Sequence, residues 1–198
     1  FIFGLGISGM ALANFLKNKV NNLFCWDDNL EIRKKGIKAG LNLKSVESFK
    51  FNSLDYLILS PGINHRLKKP NIAVSEALKK KVKITTDLEF LKILQIKNFL
   101  IGVTGTNGKS TTTKFIEKSL IYSKSKCIAF GNIGLPFGNI VSNLKKNDIL
   151  LAEMSSFQLD KIIDLKFNIS ILLNLSKDHL EWHGGWNQYL DSKLKIFQ

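Results

Sequence analysis

Two rhythms of apolar and polar positions alternate along the chain. Short apolar runs of strand type fall at 1–3, 22–26, 55–59, 82–85, 99–103, 126–130, 148–152 and 168–173. Between them, the stretches 10–17, 31–39, 71–81, 87–94, 111–122 and 186–197 carry apolar residues at helical spacing. Buried runs alternating with amphipathic helices predict an α/β fold with parallel sheets. The polar stretch 95–98 is the expected boundary. It gives one α/β domain over 1–95 and a second over 96–198. The chain opens on Phe1-Ile-Phe3, which reads as the inside of a strand and predicts that the natural N-terminus lies further upstream.

Composition narrows the class. With 44% hydrophobic and 23% charged residues, the 198-residue chain is that of an ordinary globular protein. No apolar run approaches the roughly 18 residues of a membrane span. Cys25 and Cys127 each sit in an apolar run, which predicts buried free thiols in a reducing compartment. The net charge of +13 comes almost wholly from lysines spread along the chain, with Arg33 and Arg66 the only arginines. That pattern, without an RNA-binding motif or a helix-turn-helix, points away from nucleic acid and toward anionic small molecules.

The chemistry centres on Phe99–Thr113, FLIGVTGTNGKSTTT. A buried strand, a glycine-containing turn, Lys-Ser and a helix follow in the order of a phosphate-binding loop. Inward N–H groups and the helix N-terminus would cradle phosphate, Lys109 would reach the outer phosphates, and Ser110 would meet a magnesium ion. The usual pattern places glycine where Val103 stands; here Gly105 comes three residues before Gly108.

A second glycine turn, Gly4, Gly6 and Gly9, follows the first strand, with Asp27-Asp28 closing the second. This is the layout of a dinucleotide-binding unit, and it fits a UDP-linked ligand as well as NAD. Ser60-Pro61-Gly62 makes a tight turn at the end of the third strand, where ligands of open α/β sheets collect. Further along, Gly131-Asn-Ile-Gly134 is a turn whose Asn132 can offer its side-chain amide to a ligand, and Glu153 at the tip of an apolar strand is a candidate magnesium ligand. His179 follows Asp178 just past the last strand, and Lys193 lies in the final helix.

Gly105-Thr-Asn-Gly-Lys-Ser-Thr111, Gly131-Asn-Ile-Gly134, Glu153-Met-Ser-Ser-Phe-Gln158 and Asp178-His179 together resemble the Mur ligases, in order and spacing. Within that family the chain is most similar to members that add D-glutamate to UDP-N-acetylmuramoyl-L-alanine, on the E-x-S-S-F-Q-L form and the Gly4–Gly9 turn. Members that add L-alanine carry His where Asn107 stands.

The resemblance implies a cytoplasmic, monomeric, ATP- and Mg²⁺-dependent ligase of peptidoglycan synthesis, with a Rossmann-like domain over 1–95 and the front part of a P-loop ATPase-like α/β domain over 96–198. It implies ATP contacts from Gly105, Thr106, Asn107, Gly108, Lys109, Ser110, Thr111 and Thr112. It implies a first magnesium on Ser110 and Glu153, and a second on His179, supported by a carbamylated Lys193. Catalytic roles fall on Lys109, His179 and Lys193, and UDP-substrate contacts on Ile7, Ser8, Asp27, Gly62, Asn132, Ser155 and Gln158. Asp28-Asn29 departs from the Thr-Arg often found in the family near the substrate diphosphate. The family is more than twice as long, so the adenine-contacting part and the C-terminal amino-acid-binding domain are expected to be absent and the chain inactive alone. Two other readings stay open: an NAD(P)-dependent oxidoreductase on Gly4–Gly9, which leaves Lys109, Glu153 and His179 without a joint purpose, and a non-catalytic nucleotide-binding module.

Overall fold

A computed structural model describes all residues, Phe1–Gln198. The chain forms two compact units: Phe1–Asp87 with Pro136–Ser142, and Leu88–Leu135 with Asn143–Gln198. Each holds a four-stranded sheet whose strands all pair in parallel. No helix is long and apolar enough to cross a membrane.

In the first unit, β1 (Ile2–Phe3), α1 (Ile7–Leu16), β2 (Cys25–Trp26), α2 (Leu30–Lys38), β3 (Tyr56–Leu59), α3 (Ile72–Lys79) and β4 (Lys83–Thr85) follow in order. The strands run β2-β1-β3-β4, so the chain leaves β1 to one side and returns to the other. The crevice at the carboxyl ends of the central strands is where such sheets take ligands. The core gathers Phe1, Phe3, Phe51, Leu57 and Leu59, with Phe1 edge-on to Phe49 at 5.0 Å between ring centroids. Gly9 has to be glycine, because a Cβ there would lie 2.0 Å from the Gly4 carbonyl oxygen. That approach lets α1 start tightly against β1.

The second unit contains α4 (Phe90–Ile93), β5 (Leu100–Thr104), α5 (Lys109–Tyr122), β6 (Cys127–Gly131), then, past α6, β7 (Ile149–Glu153), α7 (Ser156–Leu159), β8 (Ile169–Leu172), α8 (Leu180–His183) and α9 (Trp186–Leu194). Its strand order is β6-β7-β5-β8. The register sets Val103 opposite Glu153, which brings the mouth of the loop after β5 beside the carboxylate ending β7. Cys25 and Cys127 are buried free thiols, and burial raises the thiol pKa to about 12 and about 11 respectively.

The division differs from the boundary expected at 95–98. Leu88, Phe90 and Leu91 are buried, and the Glu89 carboxylate accepts the backbone N–H groups of Ile163 and Asp164 at 2.9 Å each. These anchors tie residues after 87 to the second unit. The short helix α6 (Phe137–Val141) belongs to the first unit, where Gly138 packs against the backbone of Ala11 and Leu12 on α1. The predicted helix over 87–94 is a 3-10 turn followed by the single turn of α4.

Candidate active site

The phosphate-loop geometry follows from β5 and α5. Gly108 caps α5 with φ +82°, and no side chain caps the helix. The first N–H groups of a helix have no partner within it, so this end offers open donors and a positive dipole to an anion. Ser110 and Thr111 are exposed there, and Thr106 and Thr112 partly so. Asn174 locks the turn from the end of β8: its Oδ1 accepts from Asn107 N at 2.9 Å and its Nδ2 donates to Asn107 O at 3.0 Å. Thr106 Oγ1 receives the Ser176 N–H at 2.9 Å.

Lys109 curls back over its own loop, donating to Gly105 O at 3.0 Å and Thr106 O at 2.8 Å. Lys193, 2% exposed, donates to the same Gly105 carbonyl at 2.6 Å and to Thr104 Oγ1 at 3.0 Å. Two ammonium groups thus share one carbonyl. Burial, then the Lys109 charge, lower the Lys193 pKa to about 8, with Asp178 and Glu153 pulling the other way. One helical turn away on the same face of α9, the Tyr189 hydroxyl lies 2.8 Å from Thr106 Oγ1. Burial raises its pKa.

Glu153 is fully buried. Its Oε1 accepts from Asn132 Nδ2 at 2.8 Å, while Oε2 has no partner. Asn132 therefore faces a carboxylate, an arrangement that the loop sequence did not disclose. Ser155 and Gln158 face one another: Gln158 Oε1 accepts from Ser155 N at 3.0 Å and Oγ at 2.8 Å, in a capping box that starts α7. His179 heads α8 in the left-handed region at φ +50°. Its ring is half exposed, 3.4 Å from Asp178 Oδ2 and 4.8 Å between centroids from Phe157.

A buried carboxylate oxygen without a partner and an exposed serine hydroxyl at a helix start are both oxygen donors of the kind Mg²⁺ takes. No three His, Cys, Asp or Glu side chains cluster as a ready-made metal site.

In the first unit, Ile7, Ser8, Asp27 and Gly62 lie just past the carboxyl ends of β1, β2 and β3. Ile7 is 82% exposed at the start of α1. Asp27 braces the glycine turn, its Oδ2 accepting from Leu5 N at 2.6 Å and its Oδ1 from Asn29 N at 2.8 Å. Asn29 caps α2 through its side chain. Sequence reading passed over Arg33, which lies over the Trp26 ring at 4.5 Å and donates to the carbonyls of Asp27 and Asp28 at 2.8 and 2.9 Å.

Residues 103–198 match the Mur ligase middle domain. The chain is 35% identical over 199 residues to the UDP-N-acetylmuramoylalanine--D-glutamate ligase of Wolbachia pipientis wMel, covering 98% of this chain and 38% of that protein. The enzyme of the same name from Paramagnetospirillum magneticum is 33% identical over 196 residues, 99% of this chain and 43% of that one. In fold this chain is similar to the solved UDP-N-acetylmuramate-alanine ligase of Thermotoga maritima, with a TM-score of 0.53 at 22% identity over 98% of this chain and 46% of that chain. The chain spans about two fifths of the length of these curated relatives. Residues 103–198 thus match the middle domain of the Mur ligases, and the chain over its whole length is similar to members of that family.

Proposed function

We propose that the protein to which this chain contributes is an ATP-dependent ligase joining D-glutamate to UDP-N-acetylmuramoyl-L-alanine in peptidoglycan precursor synthesis. The observation that carries this reading is the convergence at one loop: the uncapped start of α5, Lys109, buried Lys193 and the unpartnered Glu153 oxygen. The relatives named for that reaction support the choice of amino acid and sugar nucleotide.

In this reading residues 105–112 hold the ATP phosphates through the open N–H groups at the start of α5 and the Lys109 ammonium, once Lys109 has left its own loop carbonyls. The alanyl carboxylate attacks the γ-phosphorus, forming an O–P bond as the bond to ADP breaks. The D-glutamate amine then attacks the acyl carbon, a C–N bond forms, and phosphate leaves with the C–O bond broken. Mg²⁺, when bound, supplies neutralisation of the phosphate charge; Ser110, Glu153 and His179 would hold it.

Lys193 is suited to capture CO2, since only a neutral amine forms the N–C bond and gives up a proton. A pKa of about 8 keeps part of the group neutral near physiological pH. The resulting carbamate would replace a cation that repels Mg²⁺ with an anion that attracts it. Ile7, Ser8, Asp27, Gly62, Asn132, Ser155 and Gln158 are proposed to bear on the UDP-substrate, Asn132 through the Glu153 carboxylate. A monomeric, cytoplasmic enzyme completes the proposal, on family resemblance.

The test uses the complete protein with ATP, D-glutamate and UDP-N-acetylmuramoyl-L-alanine. The proposal expects phosphate release that needs both co-substrates. No release, together with tight NADH binding, would overturn it.

A further inference from the structure

A buried imidazole behind the candidate site ties three helices together. His183, 2% exposed, ends α8. Its Nε2 lies 3.0 Å from Ser156 Oγ on α7, and its Nδ1 lies 3.3 Å from Ser192 Oγ on α9. Ser192 Oγ in turn donates toward Asp160 Oδ1 at 3.0 Å and Gln188 O at 2.7 Å. Ser156, Asp160 and Ser192 are all buried.

Counting protons gives this chain a direction. A serine hydroxyl has one hydrogen, and both the carboxylate oxygen of Asp160 and the carbonyl of Gln188 only accept. The Ser192 hydrogen is therefore spent on them, and its oxygen is free to accept only. His183 Nδ1 must be the donor to it. In the neutral ring Nε2 then accepts the Ser156 hydroxyl hydrogen.

The three helices so joined carry or directly follow the groups that matter at the loop: Glu153 ends β7 just before α7, His179 caps α8 and Lys193 lies in α9. Ser156 is three residues past Glu153, Ser192 immediately precedes Lys193, and His183 is one turn past His179. Phe157 adds a second link: its ring is parallel to His183 within 9° at 5.7 Å between centroids, and 4.8 Å from His179.

We propose that His183 is a positioning residue: held as the Nδ1–H tautomer between Ser156 and Ser192, it fixes α7, α8 and α9 against one another and so sets where Glu153, His179 and Lys193 point. The inference rests on the reading of those three as the support of a metal-phosphate centre. Partners that orient metal ligands from behind typically cost about 10–100-fold in metal affinity when removed.

Two measurements on the complete protein decide it. Imidazole ¹⁵N–¹H correlation should find the His183 proton on Nδ1 with Nε2 as acceptor; an Nε2–H ring would overturn the directed chain. Titration of Mn²⁺ in the presence of ADP should show about a tenfold or greater loss of affinity in both Ser156→Ala and His183→Phe. Metal-free ADP affinity should stay as in the parent, a readout that general unfolding would move. Ser156→Ala removes a single hydroxyl and decides the matter should His183→Phe not fold. Mn²⁺ affinity unchanged in a folded Ser156→Ala protein removes the positioning role alone. Failure of the parent protein to bind Mn²⁺ at all removes the metal centre, and the positioning role with it.

Discussion

Asn132 donates its side-chain amide to Glu153 Oε1 at 2.8 Å, and the other oxygen of that carboxyl group is buried with no partner. One half of the group is anchored and the other half is left for something else. Buried polar atoms are almost always satisfied, so under the proposed function this oxygen is where a cation would stabilise the fold as it binds.

Asn132→Ala should therefore act twice. Loss of the buried hydrogen bond should lower stability by about 1–3 kcal/mol in urea denaturation. Mg²⁺ should stabilise the parent protein, by about 2.7 kcal/mol at a hundred times its dissociation constant, and the variant less at equal concentration. Equal stabilisation of both would show that Asn132 does not orient the carboxylate.

Tyr189→Phe removes the hydroxyl that meets Thr106 at 2.8 Å and leaves the ring in place. A cost of about 1 kcal/mol is expected in stability. ADP affinity measured by calorimetry should fall as well, because Thr106 belongs to the loop. Unaltered ADP binding would separate α9 from phosphate binding.

Lys193 should leave a signature in the pH dependence of stability. Its folded pKa of about 8 lies below the ordinary 10.5, so the unfolded chain holds this proton more firmly. The group's contribution is complete above 10.5 and is lost as pH falls through 8. Relative to Lys193→Met, the parent should gain on the order of 3 kcal/mol between pH 7 and pH 10.5. A flat or falling difference would mean that the amine is not desolvated.

Gly138 tests the recruitment of α6 by the first unit. A Cβ there would lie 2.3 Å from Ala11 O and 2.7 Å from Leu12 N, backbone atoms that cannot rotate away. Gly138→Ala should destabilise by about 1–3 kcal/mol. In Gly62→Ala the new carbon meets nothing within 4 Å, and the change should stay within about 0.5 kcal/mol.

The parallel strands and the phosphate loop were legible because their signals are local: apolar runs, then glycine, Lys and Ser at fixed offsets. Helix α6 was not, since five residues, Phe137–Val141, are too few to show a period. Its place follows from the fit of Gly138 on α1, a contact between residues far apart in sequence. The boundary moved for a similar reason: the Glu89 carboxylate bonds residues more than seventy positions later. The pairing of Asn132 with Glu153 was not legible, because a turn Asn can point anywhere and only the register of β6 with β7 brings it to that carboxylate. Tyr189 was within reach, standing four residues before Lys193 on one helical face. His183 was not, because a single His at a helix end carries no pattern until Ser156 and Ser192 close around it.

Under the proposed function, the loop ending β5 grips the phosphates of ATP through Lys109. Calorimetric titration of Mg-ATP into the complete protein and into Lys109→Ala tests it most directly. Clear binding to the first and at least tenfold weaker binding to the second is the predicted result. Equal affinity for Mg-ATP in both proteins would contradict it.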